Sequence, residues 1–254
     1  MPPSHMPVEI ALPSAMDESA SVAAALMEMA VAAERDGGLQ PVHILRRWEA
    51  RAGTYTYHTH VQVACADVST FSKVVDCFFH AAALPAQPWY SQFLRGQSLS
   101  VVPAAGATRS AICLPEFDFG LGKVHSYRQL VSEFSFANHC HVLVLRSVSA
   151  DPDFPANTVV AFTLSPTGDV LRWCNGVLHW HHICTVAGVG ILPAPIERQV
   201  MNMLRWLRLD HAERKTYREE AECFIRWVSD PASVSATWDS IQHLVSLNTV
   251  SDEI

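Results

Sequence analysis

The chain has 254 residues, 49% of them apolar and 17% charged, a composition that is typical of packed globular proteins and excludes intrinsic disorder. Its net charge of −7 offers no basic surface for a phosphate backbone, so nucleic acid is not an expected partner. The seven cysteines are odd in number and contain no C-x-x-C pair, which favours a reducing compartment. We therefore predict a cytoplasmic protein without a secretory signal or a membrane-spanning segment.

The first third of the chain changes from helical to strand-like periodicity. A loose arm over residues 1–13 precedes a helix over 14–35, which is rich in Ala, Met, Leu and Glu and ends at two glycines. β-branched and aromatic residues then predict two strands, and Asp67 is a good N-cap for a short helix. These three elements are strand 42–48, strand 54–63 and helix 68–80.

Strands dominate the middle of the chain. The predicted strands are 98–102, 109–114, 123–134, 141–148, 158–164 and 170–186. Because the turns between them are short and rich in glycine and proline, the strands are expected to form an antiparallel meander. The segment 170–186 is long for one strand, and Asn175-Gly176 inside it indicates either a bulge or a tight hairpin.

The last part of the chain is helical. An apolar stripe predicts one long helix over 195–228, which Pro231 stops, and a short amphipathic helix follows over 237–247. A single antiparallel sheet has one face to cover, and this long helix is the element large enough to cover it. We expect one domain over 14–229 and a C-terminal extension over 230–254.

Three segments carry a family resemblance. Gln129–Val148, with its turn and its strand ending in Leu-Arg, resembles the central strand pair of START-type lipid-transfer domains of the START/SRPBCC superfamily. Leu178–Asn202 is similar to their last strand, Gly-x-Leu-Pro turn and helix start, and Phe78–Trp89 matches them more loosely. The resemblance covers roughly residues 40–228. It implies an α+β helix-grip fold, in which a curved antiparallel sheet grips the C-terminal helix around an internal cavity.

The resemblance also implies a tunnel for one lipid or other apolar molecule. In the family a buried arginine often meets the polar end of the ligand, and that position matches Arg146. The acidic partner expected on the preceding strand is not matched, since the ungapped position is Tyr127. Glu133, a ligand oxygen or solvent remain alternative partners for the guanidinium. Departing from the usual Arg-Asp-Phe, this strand starts with Cys140-His141-Val142.

The expected tunnel wall combines strand and helix residues. It comprises Phe134, Val144, Trp180, Cys184, Val200, Met203, Leu204 and Leu207. Strand alternation places Trp180, His182 and Cys184 on one face, which is the expected ligand face. On that face His182 either donates to a ligand or acts as a general acid or base, or else it is a core histidine bonded to a neighbour.

Thirteen histidines include three H-x-H patterns, at 58/60, 139/141 and 179/181. Residues i and i+2 of a strand share a face, so each pair could present two imidazoles to one metal ion. No spacing matches an established zinc signature, and the sequence shows no closed set of ligands. We therefore predict no metal and no cofactor.

Two functions from different classes fit these observations. The first is a carrier or sensor that binds a lipid, a sterol-like molecule or another hydrophobic compound, with transient contact to a membrane surface. The second is an enzyme on the same fold, a cyclase or isomerase acting on an apolar polyketide or terpenoid substrate, with His182, Arg146 or Tyr127 as acid or base groups. The absence of a recognisable catalytic motif favours the carrier.

Overall fold

The computed structural model describes residues 12–36, 41–49, 54–84, 86–90, 93–101, 106–118, 124–126, 129–147, 163–187 and 210–251. Four helices lie in these ranges, namely α1 (Leu12–Asp36), α2 (Val68–Phe79), α3 (Asp210–Val228) and α4 (Pro231–Ser251). The strands are β1 (Val42–Glu49), β2 (Thr54–Ala64), β3 (Phe93–Val101), β4 (Arg109–Asp118), β5 (Val124–Ser126), β6 (Gln129–Phe136), β7 (Cys140–Ser147), β8 (Thr163–Cys174) and β9 (Val177–Ala187). No helix within these ranges is both long and apolar enough to cross a membrane.

The strands form one antiparallel sheet, as the sequence predicts. Its order is β1-β2-β9-β8-β7-β6-β4-β3, and β5 pairs with β4. Two of the predicted long strands are divided. The segment 123–134 contains the separate strands β5 and β6, and the segment 170–186 is a hairpin of β8 and β9. Asn175 and Gly176 form its two-residue turn with φ of 51° and 80°, the left-handed geometry that a tight hairpin requires.

One face of the sheet, which we call the α3 face, packs against α2, α3 and α4. Its core includes Val61 and Trp180 from the sheet and Phe78 and Phe224 from the helices. The ring of Trp180 lies 4.4 Å from that of Phe224 and 5.6 Å from that of Phe78. Ile241 of α4 is completely buried in the same core, where this last helix packs against α2 and α3.

The opposite face, which we call the α1 face, is covered by the N-terminal helix. Leu26 and Ala30 of α1 pack in a second core with Val142, Val170 and Ile183 of the sheet. The expectation that the sheet has only one face to cover is therefore wrong. Alternate residues of β7, β8 and β9 are apolar on both faces, and each face buries its own set under a helix.

The predicted helices agree with the structure wherever it describes them. Helix 14–35 corresponds to α1, and helix 68–80 corresponds to α2, where the Asp67 carboxylate accepts a hydrogen bond of 2.7 Å from the Thr70 amide. Helix 237–247 is part of the longer α4. Of the predicted long helix, the part from Asp210 to Val228 is helical, and residues 195–209 lie outside the described ranges.

Candidate functional site

A row of polar side chains crosses three strands on the α3 face. In the register of the sheet, His182 of β9 lies directly between Thr59 of β2 and Asp169 of β8. Cross-strand neighbours point to the same face, so the three side chains form one line beneath α3. The adjacent row contains Trp180, which contacts Phe224 of α3. The predicted sharing of one face by Trp180 and His182 therefore holds, and that face is the one packed against α3.

Asp169 organises this row. Its Oδ1 accepts hydrogen bonds from Nε1 of Trp180 at 2.8 Å and from Nδ1 of His182 at 2.9 Å. Burial alone would lower the pKa of His182, but the charge and hydrogen bond of Asp169, together with Cys184, raise it well above its usual value. His182 is therefore an imidazolium at neutral pH, held in an ion pair with the Asp169 carboxylate.

Glu220 brings a second acidic group to the site from α3. Glu220 is only 3% exposed and lies on the same helix face as the buried residues Ala221 and Phe224. Burial raises the pKa of Glu220 to about 8, with Asp169 adding to the rise and His182 opposing it. The carboxyl group is therefore protonated at neutral pH and offers an O–H donor, as a carboxylic acid in an apolar site does.

Thr59 completes the row with a hydroxyl group that lacks a partner. Its Oγ1 is buried and makes no hydrogen bond within the described part of the chain. Next to it on the same strand face, the ring of Tyr57 stacks on that of Tyr217 of α3 at 5.0 Å. A buried hydroxyl without a hydrogen-bond partner costs free energy, so a ligand atom that forms a hydrogen bond with Thr59 would remove that cost.

Aromatic rings lie on one side of this polar row, next to Trp180. The ring of Phe78 stacks on that of Trp89 at 4.6 Å, and Trp89 in turn contacts Trp227 of α3 at 4.6 Å. Ligand sites are mostly apolar with a few oriented polar groups, and the α3 face has this composition.

The predicted tunnel wall is divided between the two faces of the sheet. Trp180 and His182 lie on the α3 face, whereas Phe134 and Val144 belong to the core beneath α1. Phe134 and Val144 therefore do not share a wall with Trp180, because a strand alternates its side chains and their strands place them on the other side. The expected single wall is therefore divided, and the ligand-binding roles of Phe134 and Val144 stay predictions.

Arg146 also lies on the α1 face. Its Nη2 donates to Oε2 of Glu18 of α1 at 2.5 Å, at a partly exposed position. Glu133, one of its expected partners, points to the other face and instead binds Arg109 and His141. The guanidinium therefore meets a helix carboxylate rather than the interior beneath α3.

Several predicted site residues fall outside the described ranges. They are Tyr127, Val200, Met203, Leu204 and Leu207. Their roles stay predictions, as do the ligand-binding roles of Trp180, His182 and Cys184.

Sequence reasoning missed Asp169, Glu220 and Thr59. A signal for Asp169 was present, because a two-residue hairpin at Asn175-Gly176 pairs residue 169 with residue 182. Glu220 follows Tyr217 by three residues and precedes Phe224 by four, which places it on the apolar stripe of α3. Thr59 gave no signal, since its partner strand is distant in sequence.

A second polar cluster lies on the α1 face. Two of the three H-x-H patterns come together there, because β2 and β9 are neighbours, and Glu34 of α1 lies over them. One ligand atom each of Glu34, His60, His179 and His181 lies within 4.8 Å of all the others, so these residues could hold a metal ion. The third pattern is split, since His141 binds Glu133 and His139 lies in an exposed turn.

These histidines are uncharged. Burial, followed by the neighbouring histidines, lowers the pKa of His58 and of His60 to about 3. Burial, then His179 and Arg172, lowers the pKa of His181 to about 3 as well. Three adjacent neutral imidazoles therefore line the α1 face at neutral pH.

A solved lipid-transfer domain has a similar fold, and two further solved structures align with lower scores. Human StAR-related lipid transfer protein 5 aligns with a TM-score of 0.51 at 13% identity, over 82% of this chain and 97% of that one. A STAR-related lipid transfer protein fragment from Xanthomonas axonopodis gives 0.49 at 9% identity, over 75% of this chain and 100% of that one. The di-domain ARO/CYC StfQ from the steffimycin biosynthetic pathway gives 0.37 at 13% identity, over 69% of this chain and 52% of that one.

The sequence matches no protein-family model and no curated protein sequence. The likeness to human lipid transfer protein 5 is one of fold, spanning nearly the whole of that chain.

Proposed function

We propose that this chain, which has the START-type α+β helix-grip fold, binds one hydrophobic small molecule between the α3 face of its sheet and α3, as a carrier or sensor. The observation that carries the proposal is the polar row Thr59–His182–Asp169 with Glu220, set among aromatic side chains. An apolar core does not require such a row. Replacing a buried ion pair by well-packed apolar residues is often neutral or stabilising, so its presence points to recognition.

The charges of the row define the polar end of the ligand. Glu220 is protonated and Thr59 has a spare hydroxyl, so both can donate to an oxygen atom. His182 is cationic and its charge is compensated by Asp169. The site therefore suits a neutral ligand with a carbonyl or hydroxyl oxygen at one end and an apolar body, such as a sterol-like lipid. We place this binding in the cytosol, with transient contact to a membrane surface for loading.

Ligand binding tests the proposal directly. Native mass spectrometry of freshly purified protein should show one co-purifying apolar molecule per chain, or the delipidated protein should take up a fluorescent sterol saturably. Unlabelled sterol should compete for the site. A protein that takes up no apolar probe saturably, and that carries none after purification, would refute binding in this interior.

One observation favours an enzyme as the second candidate. Glu220 has a pKa of about 8, so it can transfer a proton near neutral pH, and it lies in the same site as His182, whose pKa Asp169 raises. A cyclase or isomerase needs acid and base groups of this kind to act on an apolar polyketide substrate. Incubation with a linear polyketide separates the two functions, since only an enzyme forms a cyclised product and loses that activity in Glu220→Gln.

A further inference from the structure

We propose that Glu34, His60, His179 and His181 form a structural Zn²⁺ site that fastens α1 to the sheet. The four side chains come from three elements, α1, β2 and β9, which only the folded chain brings together. The site lies on the α1 face, opposite the proposed ligand site, and does not depend on the proposed function.

The spacing of the donor atoms fits tetrahedral zinc. Bonds of about 2.0–2.2 Å to nitrogen and oxygen place the corners of a tetrahedron about 3.3–3.5 Å apart. Nε2 of His60 lies 3.4 Å from Nδ1 of His179, and Nε2 of His181 lies 3.0 Å from Oε1 of Glu34. Nδ1 of His179 lies 3.8 Å from the same Oε1. Small side-chain movements therefore bring all four atoms to one ion.

The groups behind these donors hold them in position. Nε2 of His58 lies 3.0 Å from Nδ1 of His181, so a hydrogen bond on the far side of that ring directs its Nε2 toward Glu34. Arg172 binds Oε2 of Glu34, which leaves Oε1 facing the histidines. Such outer partners are characteristic of metal sites, where they fix the tautomer of a ligating histidine and the orientation of a carboxylate.

The kind and burial of the donors select the metal and its role. Three imidazoles and one carboxylate suit zinc and disfavour calcium and magnesium, which prefer oxygen ligands. His60 and His181 are almost completely buried, and the four protein ligands leave no open position for a substrate. Closed four-coordinate sets of this kind are structural rather than catalytic.

Zinc binding would replace two hydrogen bonds between ligand atoms, His181–Glu34 and His60–His179, by metal bonds. Without metal, Nε2 of His181 donates its proton to Oε1 of Glu34. With Zn²⁺ in place, Nε2 would become a ligand and the proton of His181 would move to Nδ1. His58 would then carry its own proton on Nδ1, so that its Nε2 accepts the hydrogen bond from Nδ1 of His181. The ion then links α1 to β2 and β9 where hydrogen bonds linked them before.

Zinc titration of tag-free, chelator-treated protein tests the site. We expect one Zn²⁺ per chain and a rise in Tm of about 5–10 °C at a hundredfold excess over Kd. Glu34→Gln retains a side-chain oxygen that can accept a hydrogen bond from Arg172, and His179 is only partly buried. Both Glu34→Gln and His179→Gln should therefore fold. Each should lower the zinc affinity tenfold or more, whereas His243→Gln, at an exposed position of α4, should leave it unchanged.

Cobalt substitution identifies the donors. Co²⁺ should give the visible absorption of a tetrahedral nitrogen and oxygen site without thiolate charge transfer, which distinguishes it from a site formed by the seven cysteines. The proposal is overturned if the wild-type protein gains no stability from zinc, if both variants bind zinc as the wild type does, or if the cobalt spectrum shows thiolate ligation.

Discussion

Nδ1 of His182 lies 2.9 Å from Oδ1 of Asp169, its direct neighbour across the β8–β9 hairpin. The same oxygen accepts the indole N–H of Trp180, so one carboxylate orients both a cation and an aromatic ring of the candidate ligand site. The proposed function depends on this arrangement, because it keeps a charged histidine in an interior that is otherwise largely apolar.

Asp169→Asn should lower the pKa of His182. Burial by itself lowers that pKa, and the carboxylate that offsets burial is removed by the substitution. NMR titration of the His182 ring should show a pKa at or below about 6.5, the ordinary value for histidine. Asp239→Asn, an exposed change on α4, is the control and should leave it unaltered. A His182 pKa that stays high in Asp169→Asn would contradict the assigned pairing.

Glu220→Gln should stabilise the ligand-free protein at neutral pH. The pKa of Glu220 is raised to about 8, so between its ordinary value of 4.5 and about 8 the unfolded chain ionises this group and the folded chain does not. The folded state binds more protons there, and stability is lost as pH rises through this window. Glutamine mimics the protonated acid and should remove the loss, on the order of 2–4 kcal/mol at pH 8.

Chemical denaturation between pH 5 and pH 8 measures this effect. Glu222→Gln is the matched control, since Glu222 is an exposed acidic residue of the same helix and is not among the groups that raise the pKa of Glu220. Glu222→Gln should leave the pH profile of the wild type unchanged. Equal profiles for both variants would show that Glu220 ionises normally in the folded protein.

The sequence predicts those parts of the site that depend on residues close together in the chain, and it does not predict those that depend on contacts between distant segments. Strand alternation correctly grouped Trp180 with His182, because alternation is a local property of β9. The pairing of His182 with Asp169 was within reach once Asn175-Gly176 is taken as a two-residue turn. Local patterns do not say which helix covers which face, so the division of Phe134 and Val144 from Trp180 could not be predicted.

The histidine cluster illustrates the same limit. The H-x-H spacing was visible in the sequence, but the fourth donor, Glu34, comes from a helix more than one hundred residues before β9. Only the packing of α1 on the sheet brings it over His60 and His181. The resemblance implies a ligand contact for Arg146, a role that stays a prediction, and in the structure its guanidinium pairs with Glu18 of α1.

Arg146→Met should leave ligand affinity unchanged within about twofold. Its guanidinium pairs with Glu18 on the α1 face, away from the interior beneath α3. Since the pair is partly exposed, its loss should also cost less than about 1 kcal/mol of unfolding free energy. Ligand titration and denaturation of the same preparation measure both quantities. A tenfold loss of affinity would place the ligand on the α1 face and contradict the proposed site.

Thr59→Val should weaken ligand binding by about two- to tenfold, the value of one hydrogen bond, without destabilising the free protein. The buried hydroxyl has no partner in the described structure, and valine has nearly the same shape. Thr56→Val is the contrasting variant, since the Thr56 hydroxyl bonds that of Thr185 at 3.1 Å on the α1 face. Thr56→Val should lower the free energy of unfolding and leave ligand affinity unchanged. If Thr56→Val weakened ligand binding and Thr59→Val did not, Thr59 would not be a ligand-binding residue.

Photocrosslinking with a photoactivatable sterol, followed by mass spectrometric mapping, tests the central claim most directly. The label should attach to α3-face residues such as Trp180 and Tyr217, should be displaced by unlabelled sterol, and should spare Phe134 and Val144 beneath α1. Label on Phe134 or Val144, or labelling that excess sterol does not displace, would contradict a ligand site between α3 and the sheet.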